Sequence, residues 1–152
     1  MTTEIDELIA QLEHARSKLN ASLEKVTPQA EIYPDWKLKQ LLDHITGWDE
    51  LVTSALHTHS HGETPALELK QGIDQYNADS VNARKALSLE QSRQAFDSGR
   101  AEVIQALREI PAEKLIQELR APWGGECTVT NMVKIFVSHE MQHAKHIDKT
   151  LS

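Results

Sequence analysis

The stretch Phe136-Val137-Ser138-His139-Glu140-Met141-Gln142-His143-Ala144-Lys145-His146-Ile147 places apolar residues and histidines at one helical spacing. Met132, Phe136, His139, His143 and Ile147 step by four, three, four and four residues, so one stripe of a helix holds all five. The apolar members predict that this stripe faces a core. Two imidazoles one turn apart have Cβ atoms about 5–6 Å from each other, close enough for both rings to reach one cation. Partly buried histidines bonded to carbonyls or water fit the same spacing.

The same periodicity recurs upstream. Ile5, Leu8, Leu12, Ala15, Leu19, Leu23 and Val26 form one stripe of a first helix, capped by Thr2 or Thr3 and stopped by Pro28. A linker over residues 27–34 leads to Asp35, the expected N-cap of a second helix. Leu38, Leu41, Leu42, Ile45, Trp48, Leu51, Val52 and Ala55 form its broad apolar face. It is expected to fray into a solvated loop at His57, His59 and His61, and Gly62 with Pro65 ends it. A third, less regular helix is expected over 67–86, turning Ile73, Tyr76, Asn77, Val81 and Leu87 inward. Ser88 caps a fourth helix that buries Phe96, Val103, Ile104, Leu107 and Ile110. Pro111 opens a short helical turn through Leu119, residues 122–125 form a loop, and Thr128 or Thr130 starts the last helix. No segment alternates with period two, so strand content should be near zero. Four long amphipathic helices predict an all-α, four-helix bundle in a single domain, residues 1–152.

Composition narrows the function. The chain has 152 residues, 16 Lys and Arg against 23 Asp and Glu, and a formal net charge of −7. An acidic balance of this kind argues against nucleic acid and against anionic membrane surfaces as partners. A mean hydropathy of −0.47 and the lack of a long apolar run argue against a membrane span. The acidic, amphipathic start is unlike a signal or transit peptide, so a cytoplasmic location is expected. A single cysteine, Cys127, excludes an internal disulfide and a Cys-based zinc framework. At the start of the last helix, its thiol is a candidate for a lowered pKa or, equally, for a small buried apolar residue.

A third histidine joins the pair. His44 has Leu41 and Trp48 at i−3 and i+4, which turns it toward the apolar face of the second helix. Three buried imidazoles are costly unless something satisfies their nitrogens, and one divalent cation does so while leaving positions for water or substrate. The string His139-Glu140-Met141-Gln142-His143 also matches HExxH, in which Glu140 would be a general base. A metzincin-like third ligand would fall at position 149, which is Lys149, and no sheet is expected to hold a peptide, so a protease is disfavoured. Glu140 and Asp49 remain the carboxylates able to orient an imidazole or move a proton. Tyr76, Asn77, Arg84 and Arg100 are the polar candidates for an anionic or thiol-bearing ligand. His146 reads as a surface residue bordering the site.

Residues 36–50, from Trp36 through His44 to Glu50, resemble the second helix of DinB-like (DinB/YfiT) proteins, in which a metal-binding His follows an opening Trp by eight positions. The His139 to Ala144 segment is similar to that family's last helix. Tyr76-Asn77-Ala78-Asp79, Leu87-Ser88-Leu89-Glu90 and Trp123 resemble it as well, in order along residues 4–150. The resemblance implies an up-down-down-up four-helix bundle with a long crossover, here around Thr58 to Leu69. It also implies Zn²⁺ or Ni²⁺ held by His44, His139 and His143, and a homodimer. Residues 47–52 resemble the ClbS/DfsB-like branch, which includes a hydrolase conferring self-resistance to a genotoxic metabolite. Other relatives are maleylpyruvate isomerase-type enzymes and transferases using low-molecular-weight thiols such as bacillithiol or mycothiol.

The favoured expectation is therefore a metal-dependent transferase or hydrolase acting on an electrophilic small molecule, in detoxification or stress response. Having one cysteine, the chain would take its reactive thiol from a cosubstrate. A non-catalytic protein binding metal and a small molecule, and a helical interaction module with structural histidines, are the alternatives.

Overall fold

A computed structural model describes residues 3–66 and 69–151. In chain order the elements are α1 (Glu4–Leu23), α2 (Leu38–Ser60), α3 (Ile73–Ala83), α4 (Leu89–Arg108), the single turn α5 (Ala112–Leu115), the strands β1 (Leu119–Arg120) and β2 (Glu126–Cys127), and α6 (Val129–Leu151). They form two compact units. One takes the chain up to Leu38 together with the chain from Thr130 onward, and the other takes Lys39–Val129.

The first unit is built on α1 and α6. A capping box starts α1: the Thr3 hydroxyl accepts from Asp6 N–H, and the Asp6 carboxylate accepts from Thr3 N–H. Thr2, the other expected cap, lies outside the described residues. Leu8, Leu12, Ala15, Leu19 and Leu23 of the predicted stripe are buried, as are Met132, Val133, Phe136 and Ile147 of α6. Each large apolar side chain so buried contributes about 1.5–3 kcal/mol. Polar links fix the register of the two helices. Thr130 hydrogen-bonds Glu4, Arg16 bonds Glu140, and Ser22 bonds Asp148, at separations of 126, 124 and 126 residues. A near-constant offset means that α1 and α6 run parallel.

A tight turn follows α1. Trp36 N–H donates to the Tyr33 carbonyl at 2.8 Å, with Pro34 and Asp35 between them and Asp35 at φ 67°. Proline at the second position and positive φ at the third define a type II turn. Asp35 is thereby held in the turn and does not cap α2, contrary to the sequence reading; its N–H donates to the Glu31 carboxylate.

In the second unit, α2 buries Leu41, Leu42, Ile45, Trp48, Leu51, Val52 and Ala55, as its periodicity predicts. The helix continues through His57 and His59 and gives way only near Gly62, at φ 77°. His59 is buried, with Nε2 2.7 Å from the Lys114 carbonyl, so it is no solvated loop residue. The third helix begins at Ile73 behind Gly72, whose φ of 96° interrupts the helical path; Leu67, its expected start, lies outside the described residues. Ile73 is 52% exposed. Ile73 heads its stripe at the exposed start of the helix, and Tyr76, Asn77 and Ser80 on the same stripe form the part of α3 that meets α2. That approach is close: a Cβ on Gly47 would stand 2.6 Å from Ser80 Oγ.

Ser88 and Gln91 form the capping box of α4, which buries Phe96, Val103 and Leu107. The turn after Pro111 stops at Leu115. Leu119 and Arg120 instead pair with Cys127 and Glu126 in an antiparallel ladder. Gly124 and Gly125, both at positive φ, close that hairpin. Among the described residues no helix is long and apolar enough to cross a membrane.

Candidate metal-binding histidines

His139 and His143 stand one turn apart on α6, with ring centroids 4.6 Å from each other. His143 is buried and His139 half-buried. The orientation of His143 is set from the turn after α1: Tyr33 Oη lies 2.7 Å from its Nδ1. With Nδ1 engaged in that bond, Nε2 is the nitrogen available to ligate a cation. The Tyr33 ring meets His143 edge-on and stacks on His146 at 4.1 Å, and His146 Nε2 lies 2.7 Å from the Ile32 carbonyl. His146, half-buried and not free in solvent, therefore braces the tyrosine turn. Pro34 and the positive φ of Asp35 hold the same turn from the other side.

Burial adjusts the protonation of this group. It pushes the Tyr33 phenol above its ordinary value, so the ring stays neutral. Burial also lowers the His139 imidazole, with Glu140 partly opposing the shift. A lowered imidazole pKa favours the neutral form, the one able to bind a metal.

Glu140, the HExxH carboxylate, is itself buried and takes a 2.8 Å bond from Arg16 Nε. A carboxylate removed from water needs such a partner. The consequence is a fixed anion one residue from His139.

His44 belongs to the second unit, on α2, and is 2% exposed. It meets the edge of Trp48 at 6.5 Å between ring centroids. Trp48 in turn contacts Tyr76 at 5.5 Å and Trp123 at 6.0 Å, and its indole N–H donates to Asn77 Oδ1 at 2.7 Å. The Tyr76 hydroxyl donates to the Gly47 carbonyl at 2.8 Å. The predicted polar residues Tyr76 and Asn77 thus belong to an aromatic wall beside His44. Asp49, expected to orient an imidazole or move a proton, and Arg100, expected to face a ligand, instead pair with each other elsewhere on α2 and α4, buried, with Arg100 Nη2 3.2 Å from Asp49 Oδ1. Arg84 pairs with Glu50. Cys127 has its thiol pushed up by burial and then by Glu126 and Glu118, the opposite of a helix-activated thiolate.

The sequence reading missed Tyr33 and Arg16. Arg16 follows Ala15 of the apolar stripe and offers no signal beyond its charge. Tyr33 sits in a non-periodic turn, where its only mark is the Tyr-Pro-Asp sequence of a turn former.

A family model described as the DinB superfamily matches residues 11–147, a stretch that includes all three histidines. The chain belongs to the DinB superfamily. A comparison with curated proteins gives no match. Among solved structures, this DinB-superfamily chain is similar to the crystal structure of the mycothiol-dependent maleylpyruvate isomerase, with a TM-score of 0.79 and 14% identity. A histidine-to-alanine variant of that enzyme gives a TM-score of 0.77 at the same identity. Each comparison covers 97% of this chain, which spans 63% of that enzyme's length. The fold is all-α and DinB-like, as its sequence resemblance implies.

Proposed function

We propose that this chain acts as a single bundle domain in which His44, His139 and His143 hold one divalent cation, Zn²⁺ or Ni²⁺. The reaction we assign to it is thiol transfer to, or hydrolysis of, an electrophilic small molecule, as part of detoxification or a stress response. The observation that carries the reading is the His139–His143 pair, one turn apart and oriented from outside its own helix by Tyr33. His44, His139 and His143 are together a histidine group compatible with a metal ion. An all-imidazole donor set suits zinc and nickel and leaves coordination positions for other ligands. The solved relatives named above are described as thiol-dependent, which supports a low-molecular-weight thiol as cosubstrate.

Bound there, the cation would supply a Lewis acid that lowers the pKa of a thiol or water. The chain's own residues have separate tasks. Tyr33 holds the His143 ring in one tautomer. Glu140, fixed by Arg16, raises the basicity of the neighbouring imidazole. Asp49, paired with Arg100, ties α2 to α4 from a different face of the helix that carries His44. Trp48, Tyr76 and Trp123 give the small-molecule substrate an apolar wall that excludes water. The cysteine of the chain takes no part, since its thiol is held protonated. A homodimer in the cytoplasm is the setting we assign to it.

The test is turnover. Metal-loaded protein is incubated with a panel of small thiols and electrophiles, and adducts are followed by mass spectrometry. Adduct formation or hydrolysis that stops when a chelator removes the metal supports the enzyme. Stoichiometric metal without turnover across the panel would make the protein a binder.

A further inference from the structure

The second unit contains a cavity of about 680 Å³ whose wall includes Lys70, Gln71, Gln75, Tyr76, Asp79 and Arg120. In a chain with a net charge of −7, the described residues of this wall carry two cations against one carboxylate. That carboxylate is engaged: Asp79 Oδ1 accepts from Gln75 Nε2 at 2.8 Å. Arg120 is pinned by Nε and Nη2, which both donate to the Pro65 carbonyl at 3.0 and 2.8 Å. The bonds use one edge of the guanidinium and leave Nη1 for a ligand. Among the described residues Lys70 makes no ion pair, so its ammonium is available as well. Gly72, also in the wall, is the N-cap of α3 and supplies no side chain to cap it, which adds the positive end of that helix to the same side.

Tyr76 joins this cavity to the aromatic wall. One part of the residue lines the cavity, its ring contacts Trp48, and Trp48 contacts His44, in ring-centre steps of 5.5 and 6.5 Å. The cavity and His44 thus share the Tyr76–Trp48 pair as neighbours.

We infer that Lys70 and Arg120 form an anion subsite that receives the carboxylate of the thiol cosubstrate or of the electrophile. Among the described residues, a net excess of one positive charge in the wall matches a monoanionic carboxylate better than a phosphate dianion. The inference deepens the thiol-enzyme reading for its choice of ligand and rests on the cavity alone for its charge preference.

Two measurements test it separately from the metal. In the first, calorimetry compares mercaptopropionate with mercaptoethanol on metal-loaded protein; the two probes share a thiol and differ in the carboxylate. The carboxylated thiol should bind about tenfold more tightly, and Lys70→Glu should abolish that preference without changing metal content. Arg120→Gln should weaken it in the same direction. Equal binding of the two thiols, or a preference that survives both variants, would overturn the subsite. In the second, propionate is titrated into the protein with metal removed, and amide NMR follows Gln75 and Tyr76. Shifts that saturate in wild type and vanish in Lys70→Glu support the subsite even if the metal reading fails. No shift at these residues overturns it even if thiols bind the metal.

Discussion

Tyr33 Oη lies 2.7 Å from Nδ1 of His143, a contact made across 110 residues of chain. It joins a proline turn at the end of α1 to the histidine pair on α6. Partners of this kind fix the tautomer and rotation of a ligating imidazole, and their loss weakens metal binding by about 10–100-fold. Tyr33→Phe keeps the ring that stacks on His146 and removes only the hydroxyl. Competition against a chromogenic chelator should therefore show metal affinity falling by that order. Thermal stability should change little, by about 1 kcal/mol, the worth of one ordinary hydrogen bond. Unchanged affinity would remove Tyr33 from the site.

Arg16 and Glu140 form a buried ion pair, with side chains 9% and 4% exposed. Removing one member leaves an uncompensated charge, which costs about 3–5 kcal/mol. Arg16→Met should thus lower the Tm by roughly 10 °C, since about 2–4 °C accompanies each kcal/mol in a domain of this size. The double variant Arg16→Met with Glu140→Met should recover most of that loss, because no charge is then stranded. A double variant as unstable as the single one would show that the pair is not the reason for the loss.

Gly47 marks a close approach of α2 to α3. An added methyl would stand 2.6 Å from Ser80 Oγ and 2.8 Å from Ser80 Cβ. Overpacking of this sort costs about 1–3 kcal/mol, so Gly47→Ala should lower the denaturant midpoint by a measurable step. Combining it with Ser80→Gly removes the opposing atoms and should restore part of the midpoint. A wild-type midpoint in Gly47→Ala alone would show that the two helices can separate without cost.

Cys127 gives a prediction in pH. Burial first, then Glu126 and Glu118, raise its thiol above the ordinary value of 9.0. A raised pKa means little thiolate at neutral pH, and only the thiolate is alkylated. Reaction with iodoacetamide should be slow at pH 7 and still climbing above pH 9. A rate that levels off below pH 8 would mean an activated thiol.

The helices and the three histidines are legible in the sequence because both depend on local spacing. Leu8, Leu12, Ala15 and Leu19 on α1, or Met132, Phe136, His139 and His143 on α6, declare their face within a few turns. What the sequence hides is set by backbone geometry or by distant pairing. Asp35 reads as a cap, but Pro34 before it forces a type II turn and puts it at positive φ. Ile73 reads as core and shares a stripe with Tyr76, Asn77 and Ser80, yet it is the first residue of α3, directly after Gly72, and is exposed there. His57 and His59 look like loop residues because histidines repeat at every second position there, while α2 continues beneath them. Arg16 meets Glu140 and Tyr33 meets His143 only once α1 and α6 align in parallel, a register that no local pattern encodes.

The central claim is that His44, His139 and His143 together hold one divalent cation. Its most direct test is metal content, by inductively coupled plasma mass spectrometry, of protein purified without a histidine tag and reloaded with zinc or nickel. The account predicts one equivalent per chain, lost in each of His44→Ala, His139→Ala and His143→Ala while circular dichroism still reports the helical fold. Folded wild-type protein that retains no metal, or a His44→Ala variant that retains a full equivalent, would contradict it.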